Sequence, residues 1–362
     1  MTILSVGFPL MPVGPDAGGG AEQILSLLER QLVAAGHRSL VIAAEGSQAA
    51  GELIPAAPVP QTITDRASAQ FDHREAIGRA LRRGGIDLIH FHGLDFHAYV
   101  PETRVPMLAT LHLPLDWYPP SIFEQQRCRL NCVSFSQAAN TRLPVVPNGI
   151  NIAPYLALPV RPRTHLLFLG RICPEKGAHT ALEVAHILDL PLVIAGPVHP
   201  YPHHQAYFHD QVEPLLDQKR RYIGPVGLGD KTHLLASSKC LLVPSSVAET
   251  SSLVAMEAVA SCTPVVAFRS GALPEVVDHG QSGFIVDSVE DMVAAVEKCA
   301  RCAQCAGLSP DVSRAIAQRR FGAERMVSGY IRLYEQLTSI SASIPPGQTH
   351  PEATASLIAH RS

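Results

Sequence analysis

The chain has 362 residues, which suggests about two domains. Its formal net charge is -3, so no basic field is available to hold nucleic acid non-specifically. Hydrophobic residues make up 46% and charged residues 17%, enough to fill sizeable cores.

The opening "MTILSVGFPL" reads as a buried strand, and "PVGPDAGGG" as a Gly/Pro loop. "AEQILSLLERQLVAAGH" places Ile24, Leu25, Leu28, Leu32 and Val33 at helical spacing, Gly36 stops it, and "RSLVIAA" is the next strand. Strand, glycine loop, helix and strand make the βαβ unit of a parallel sheet. The alternation continues through the helix-like "REAIGRALRRGG", the strand "IDLIHFH" and the strand candidates "PMLATLHLP" and "RLNCVSFS". Pro-rich residues from Leu156 to Pro162 mark a linker.

The pattern then restarts. "HLLFLG", "PLVIAG", "RYIGPVG", "KCLLVPSS", "TPVVAF" and "SGFIVD" read as strands. "AHTALEVAHILD", "LVAMEAVASC", "VEDMVAAVEKCARCAQ" and "ERMVSGYIRLYEQL" read as helices. The expectation is an α/β protein of two doubly wound parallel-sheet domains, with a ligand at the carboxyl ends of the strands and in the cleft between the halves. The boundaries expected are 1–155, 156–340 and a disordered tail 341–362 rich in Ser, Ala and Pro. The N-terminus lacks the basic start of a signal peptide, and no apolar run approaches the ~18 residues of a membrane span. This reads as a soluble cytoplasmic protein, with peripheral membrane contact left open.

Several stretches carry chemistry. In "LGRICPEKG", a strand ends at Leu169, Gly170 permits a tight turn, and Arg171 and Lys176 precede a helix start. Free N–H groups at a helix N-terminus suit phosphate, an arginine grips two oxygens, and a lysine adds a compact charge. In "GPDAGGGAEQ", Gly18, Gly19 and Gly20 let the backbone approach a ligand, though neither a full dinucleotide fingerprint nor a P-loop lysine is present. In "PSSVAETSSLVAMEAVASC", the helix is expected to start near Ser251 or Ser252. Glu249 then stands at the helix mouth and Glu257 a turn or two inside, two acceptor-only groups suited to a hydroxyl-rich ligand.

Two metal readings are weighed and set aside. Cys299, Cys302 and Cys305 in "KCARCAQC" could ligate zinc, but a small-residue helix using cysteine as a hydrophobe is preferred. His199, His203, His204 and His209 in "HPYPHHQAYFHD" are read as a variable surface loop.

Together "GGGAEQ", "GHRSLVIA", "VVPNGI", "GRICPEKG", "YIGPVG" and the segment from Val243 to Val286 resemble glycosyltransferase family 4, retaining sugar-nucleotide transferases of the GT-B fold. The resemblance runs from Val6 to Leu337 and includes the family's E-x7-E region. It implies a hexosyl transfer from a nucleotide-diphosphate sugar, a UDP-sugar favoured over GDP-mannose, to a glycan, lipid or small-molecule acceptor, without metal or other cofactor. It implies that Arg171 and Lys176 neutralise the donor diphosphate, that Glu249 holds sugar hydroxyls, and that Glu257 holds the ribose. Backbone N–H groups of Ser251, Ser252 and Leu253 would grip sugar and phosphate. Gly19, Gly20 and Gly170 would allow close approach, and His112 in "TLHLP" matches the family's active-site histidine. Thr250, Ser251 and Ser252 stand where the family often has Pro-Phe-Gly. That departure keeps a catalytically impaired sugar-nucleotide-binding module as the alternative, beside a sugar-nucleotide epimerase.

Overall fold

The computed structural model describes residues 1–56, 66–124, 127–157, 162–301 and 307–342. Most of the linker, the tail beyond Ala342, Cys302 and Cys305 lie outside the described residues.

The first half contains β1 (Thr2–Val6), α1 (Gly20–Ala34), β2 (Arg38–Ala43), β3 (Glu52–Pro55), α2 (Arg66–Arg83), β4 (Leu88–Phe91) and β5 (Met107–Leu111). It ends with α3 (Ser121–Glu124), β6 (Arg129–Cys132), α4 (Phe135–Ala138) and α5 (Ala153–Leu156). The second half contains β7 (His165–Leu169), α6 (Ala178–Ile187), β8 (Leu192–Ala195), α7 (Pro202–Tyr207), β9 (Arg220–Tyr222), α8 (Leu228–Ser237) and β10 (Ser238–Val243). α9 (Leu253–Ala260), β11 (Val265–Phe268), α10 (Leu273–Val276), β12 (Gly283–Val286), α11 (Val289–Arg301), α12 (Pro310–Arg320) and α13 (Ala323–Ala342) complete it.

Among the described residues, each half holds one six-stranded sheet, ordered β3-β2-β1-β4-β5-β6 and β12-β11-β10-β7-β8-β9. All paired strands are parallel. The two orders are the same doubly wound arrangement, and each reverses direction at one point: β1/β4 in the first sheet, β7/β10 in the second. Crevices outside the carboxyl ends of strands open at such points. The central strands are buried on both faces because helices cover both sides; β4, β5 and β8 are buried throughout, with His90 and Thr110 the polar residues on β4 and β5. In α1 the apolar stripe Ile24, Leu25, Leu28 and Leu32 is buried against the sheet.

Besides the short helices and α8, β3 and α12 escaped the periodic reading, each for a physical reason. β3 lies at a sheet edge and buries only Ile54, so it shows no alternation. α12 is mostly polar and buries Ser313, Ile316 and Ala317; its start is marked only by Ser309 and a first-turn proline. One expectation is corrected. The histidine-rich segment after β8 lies at the surface but is not a loop: Pro202–Tyr207 is helical, His203 is exposed and His204 is 3% exposed.

The last helix returns to the first half. Met326, Val327, Tyr330, Leu333 and Tyr334 of α13 pack with Ile3, Ile24, Leu28, Leu32, Leu88 and Leu108. The chain crosses at a bridge between Ile150 and Gly322. There Ile150 N–H donates to the Phe321 carbonyl (2.8 Å), and Ala323 N–H donates to the Ile150 carbonyl (3.0 Å).

Candidate active site

Most of the residues singled out in the sequence follow strands at the two reversal points, and His112 follows the next strand over. The glycines follow β1, His112 follows β5, Arg171 and Lys176 follow β7, and Glu249 follows β10. Parallel strands end on one edge, so loops far apart in sequence meet there.

β7 is pinned to its neighbour by close backbone approach. A Cβ at Gly196 would stand 1.8 Å from the Gly170 carbonyl oxygen. Arg171 and Lys176 follow, and Gly177 turns the chain into α6 with φ +74°. Lys176 Nζ pairs with Glu249 Oε1 at 2.5 Å, and Ser245 Oγ donates to the same oxygen at 2.5 Å. Glu249 is 7% exposed, and two donors on one oxygen leave Oε2 without a hydrogen bond among the described residues. The loop behind it is held tightly: Ala272 N–H donates to the Glu249 carbonyl (2.7 Å), next to Gly271 at φ +52°. Arg171 has a looser partner, Glu175 at 3.9 Å.

The helix start is as expected. Ser252 caps α9 in extended geometry, and Leu253 begins it. Glu249 lies before the N-terminus, and Glu257 lies inside the helix, 4% exposed. Its Oε1 pairs with Lys231 Nζ at 2.6 Å, while Oε2 is buried without a partner among the described residues. Tyr155 stands beside it; burial and then the Glu257 charge push the tyrosine hydroxyl well up. The Ser251 hydroxyl is also buried and has no partner among the described residues. Two lysines thus compensate two buried carboxylates, one on each side of a helix N-terminus that carries partial positive charge.

The first half closes over this edge. Thr250 Oγ1 donates to the His112 carbonyl at 2.6 Å, which brings His112 to the Glu249 loop. Leu228 N–H, at the start of α8, donates to Asp16 Oδ1 at 3.1 Å. Glu275 accepts from Phe135 N–H at 3.0 Å and from Ser136 N–H. Any Cβ on Gly20 would sit 3.6 Å from the Leu253 side chain, so the glycine loop borders the α9 N-terminus. Glu22 folds back over Gly19, where a Cβ would stand 1.9 Å from its carboxylate. Burial pushes the Glu22 carboxyl up, while its own backbone N–H and the Arg171 charge pull it back. The cleft between the halves includes a pocket of about 230 Å3 lined in part by Asn148, Ser251, Met256 and Glu275.

Sequence reading missed Lys231 and Glu22. Lys231 is a lone lysine in the first turn of α8, and only the fold brings it to Glu257. Glu22 reads as an ordinary first-turn acid of α1. Of the histidines set aside, His204 offers a ligand atom within 4.8 Å of those of Cys173 and Glu175. Cys299 packs in the second-half core and makes no disulfide.

The model for "Glycosyltransferase Family 4" matches residues 18–153, and that for "Glycosyl transferases group 1" matches residues 160–314, so the two together span most of the chain. The chain belongs to glycosyltransferase family 4. It is 32% identical over 260 residues to a D-inositol 3-phosphate glycosyltransferase from Corynebacterium efficiens, a match covering 57% of this chain and 61% of that protein. The chain thus spans about three-fifths of the length of that curated relative. A sucrose-phosphate synthase from Thermosynechococcus elongatus shares the fold at TM-score 0.77 and 19% identity, covering 94% of this chain and 100% of that one. Anabaena HepE in complex with UDP-glucose does so at TM-score 0.74 and 20% identity, covering 93% and 100%. These likenesses establish the two-domain Rossmann-like GT-B fold for this family 4 chain. No helix among its described residues is long and apolar enough to cross a membrane.

Proposed function

We propose that this family 4 glycosyltransferase moves a hexosyl group from a nucleotide-diphosphate sugar to a glycan, lipid or small-molecule acceptor, with retention of anomeric configuration. The observation that carries the reading is the pair of buried glutamate–lysine couples, Lys176–Glu249 and Lys231–Glu257, on either side of the α9 N-terminus. Arg171, Lys176 and the free N–H groups of Ser251, Ser252 and Leu253 stabilise the departing diphosphate, an electrostatic strategy that needs no enzymic nucleophile. Glu249 takes hydroxyls of the transferred sugar, and Glu257 takes those of the ribose. His112 stands over the sugar, and Gly19, Gly20 and Gly170 allow the backbone to come close. A UDP-sugar is the favoured donor; the HepE complex, with UDP-glucose bound on the same fold, supports that choice.

The test is thermal stability against UDP, GDP and ADP, each with and without its common sugars. A ligand that binds only the folded state adds about 2.7 kcal/mol at a hundredfold excess over its dissociation constant. A shift with UDP that grows with one attached sugar is expected. No shift with any nucleotide would overturn the donor assignment.

A further inference from the structure

Behind His112 lies a line of hydrogen bonds that the donor site does not use. His112 Nε2 meets His92 Nδ1 at 3.0 Å, and His92 Nε2 meets His90 Nδ1 at 3.2 Å. His90 Nδ1 also meets the Tyr334 hydroxyl at 2.7 Å, and His90 Nε2 meets Thr110 Oγ1 at 2.7 Å. Thr110 Oγ1 in turn meets Asn131 Oδ1 at 2.7 Å and the Tyr330 hydroxyl at 3.1 Å. His90, His92, Thr110 and Asn131 are all buried. Every hydrogen-bond partner of the three rings among the described residues is a neutral group: Tyr334, Thr110 and the rings themselves.

Proton directions along this line follow from its far end. The Asn131 amide nitrogen donates to the Cys132 carbonyl at 3.1 Å, so its oxygen faces Thr110 as an acceptor. The single Thr110 proton therefore goes to Asn131, and the Thr110 oxygen can only accept from its other partners. Tyr330 donates to it, and so does His90 Nε2–H. A neutral ring carries one N–H, so His90 Nδ1 is bare: its one lone pair takes the Tyr334 proton at 2.7 Å and is shared with His92 Nε2–H at 3.2 Å, since two bare nitrogens at that distance would repel. His92 then carries its proton on Nε2 and is bare at Nδ1. His112 must donate to it from Nε2, which leaves His112 Nδ1 unprotonated and without a hydrogen bond among the described residues. The premise of neutral rings fits their burial, which holds His90 and His92 well below the ordinary histidine value and takes His112 down to about 3.

We infer that Thr110, His90 and His92 are positioning residues that lock His112 into the Nε2–H tautomer, so that its Nδ1 faces substrate as an acceptor for a sugar hydroxyl and never as a donor. The tautomer rests on hydrogen-bond geometry and on the neutrality of the three rings; the sugar contact rests on the function proposed above. Because Tyr330 and Tyr334 belong to α13, the helix that crosses back from the second half supplies part of the lock.

The experiment is long-range proton–nitrogen NMR of the full chain carrying ring-labelled 15N-histidine, at neutral pH. His112 is assigned by the signal lost in His112→Gln. Expected is a neutral His112 protonated on Nε2. Thr110→Val removes the acceptor of His90 and should reverse every ring in the line, leaving His112 protonated on Nδ1. Thr110→Ser keeps the hydroxyl and should keep the wild-type pattern. A wild-type His112 protonated on Nδ1, or an unchanged pattern in Thr110→Val, overturns the inference. If Thr110→Val fails to fold, the wild-type spectrum still decides. In turnover, Thr110→Val should lower kcat/KM for the intact sugar nucleotide about tenfold, the loss of one hydrogen bond, with UDP affinity unchanged. A predicted tautomer with no nucleotide binding would sink the sugar contact and leave the lock standing.

Discussion

Replacing Lys231 with methionine separates the stability of the second half from its proposed chemistry. The lysine and Glu257 are 15% and 5% exposed as side chains, and their charges meet at 2.6 Å. At an effective dielectric of ~20 the attraction is about 6 kcal/mol, most of it offset by the desolvation of both groups. Removing one partner of such a pair costs roughly 3 kcal/mol or more, because the remaining charge stays buried. For a unit of this size the expected fall in Tm is about 6–12 °C. Scanning calorimetry of wild type, Lys231→Met and the double variant Lys231→Met/Glu257→Gln gives the readout. The double variant removes the stranded charge and should recover most of the loss, yet bind nucleotide poorly if Glu257 holds the ribose. A Lys231→Met protein as stable as wild type would refute the reasoning about the pair. A double variant with wild-type nucleotide affinity would refute the ribose role.

Arg171→Ala should weaken nucleoside-diphosphate binding about 10- to 100-fold in calorimetric titration, as expected for a lost charge-assisted bond, without a matching fall in Tm. Glu22→Gln removes a carboxyl that interacts with Arg171, and should raise the same affinity about twofold to fivefold. Gly271→Ala forces a side chain into φ +52° with its Cβ 2.2 Å from the Glu249 carbonyl oxygen. It should cost at least about 1–2 kcal/mol and reduce donor binding by displacing the Glu249 loop. For pH, burial lowers His112 to about 3 and His73 to about 4. Above pH ~6.5 folded and unfolded chains are both neutral at these rings, so they add no pH dependence. Below it the unfolded chain takes up protons that the folded one refuses, and stability should fall by about 1.4 kcal/mol per pH unit for each ring until the folded values are reached. A flat denaturation midpoint between pH 6 and 4.5 would count against that burial.

Much of this site was legible because its signals are local. Gly170–Gly177 announces a strand, a loop and a helix within one stretch, and the small polar residues after Glu249 announce where α9 begins. The partners of the two glutamates were not legible, since Lys176 stands 73 residues from Glu249 and Lys231 stands 26 from Glu257. Such pairs form only when parallel strands place their loops on one edge. The same holds for the histidine line: "IHFH" and "TLHLP" each offer isolated rings, and only the β4–β5 pairing stacks them. The segment from His199 to Asp210 misled for another reason. Its prolines suggest a loop, but Pro202 occupies a first helical turn, where its missing N–H costs nothing.

The crossing at Ile150 and Gly322 bears on how the cleft can open. Two separate passages of the chain run side by side there, tied by reciprocal backbone bonds, and a Cβ on Gly149 would already stand 2.9 Å from the Gly322 carbonyl oxygen. Such a joint works like an axle. For the halves to swing apart about it, the contacts that join them elsewhere have to break: Thr250 to the His112 carbonyl, Leu228 to Asp16, and Phe135 and Ser136 to Glu275.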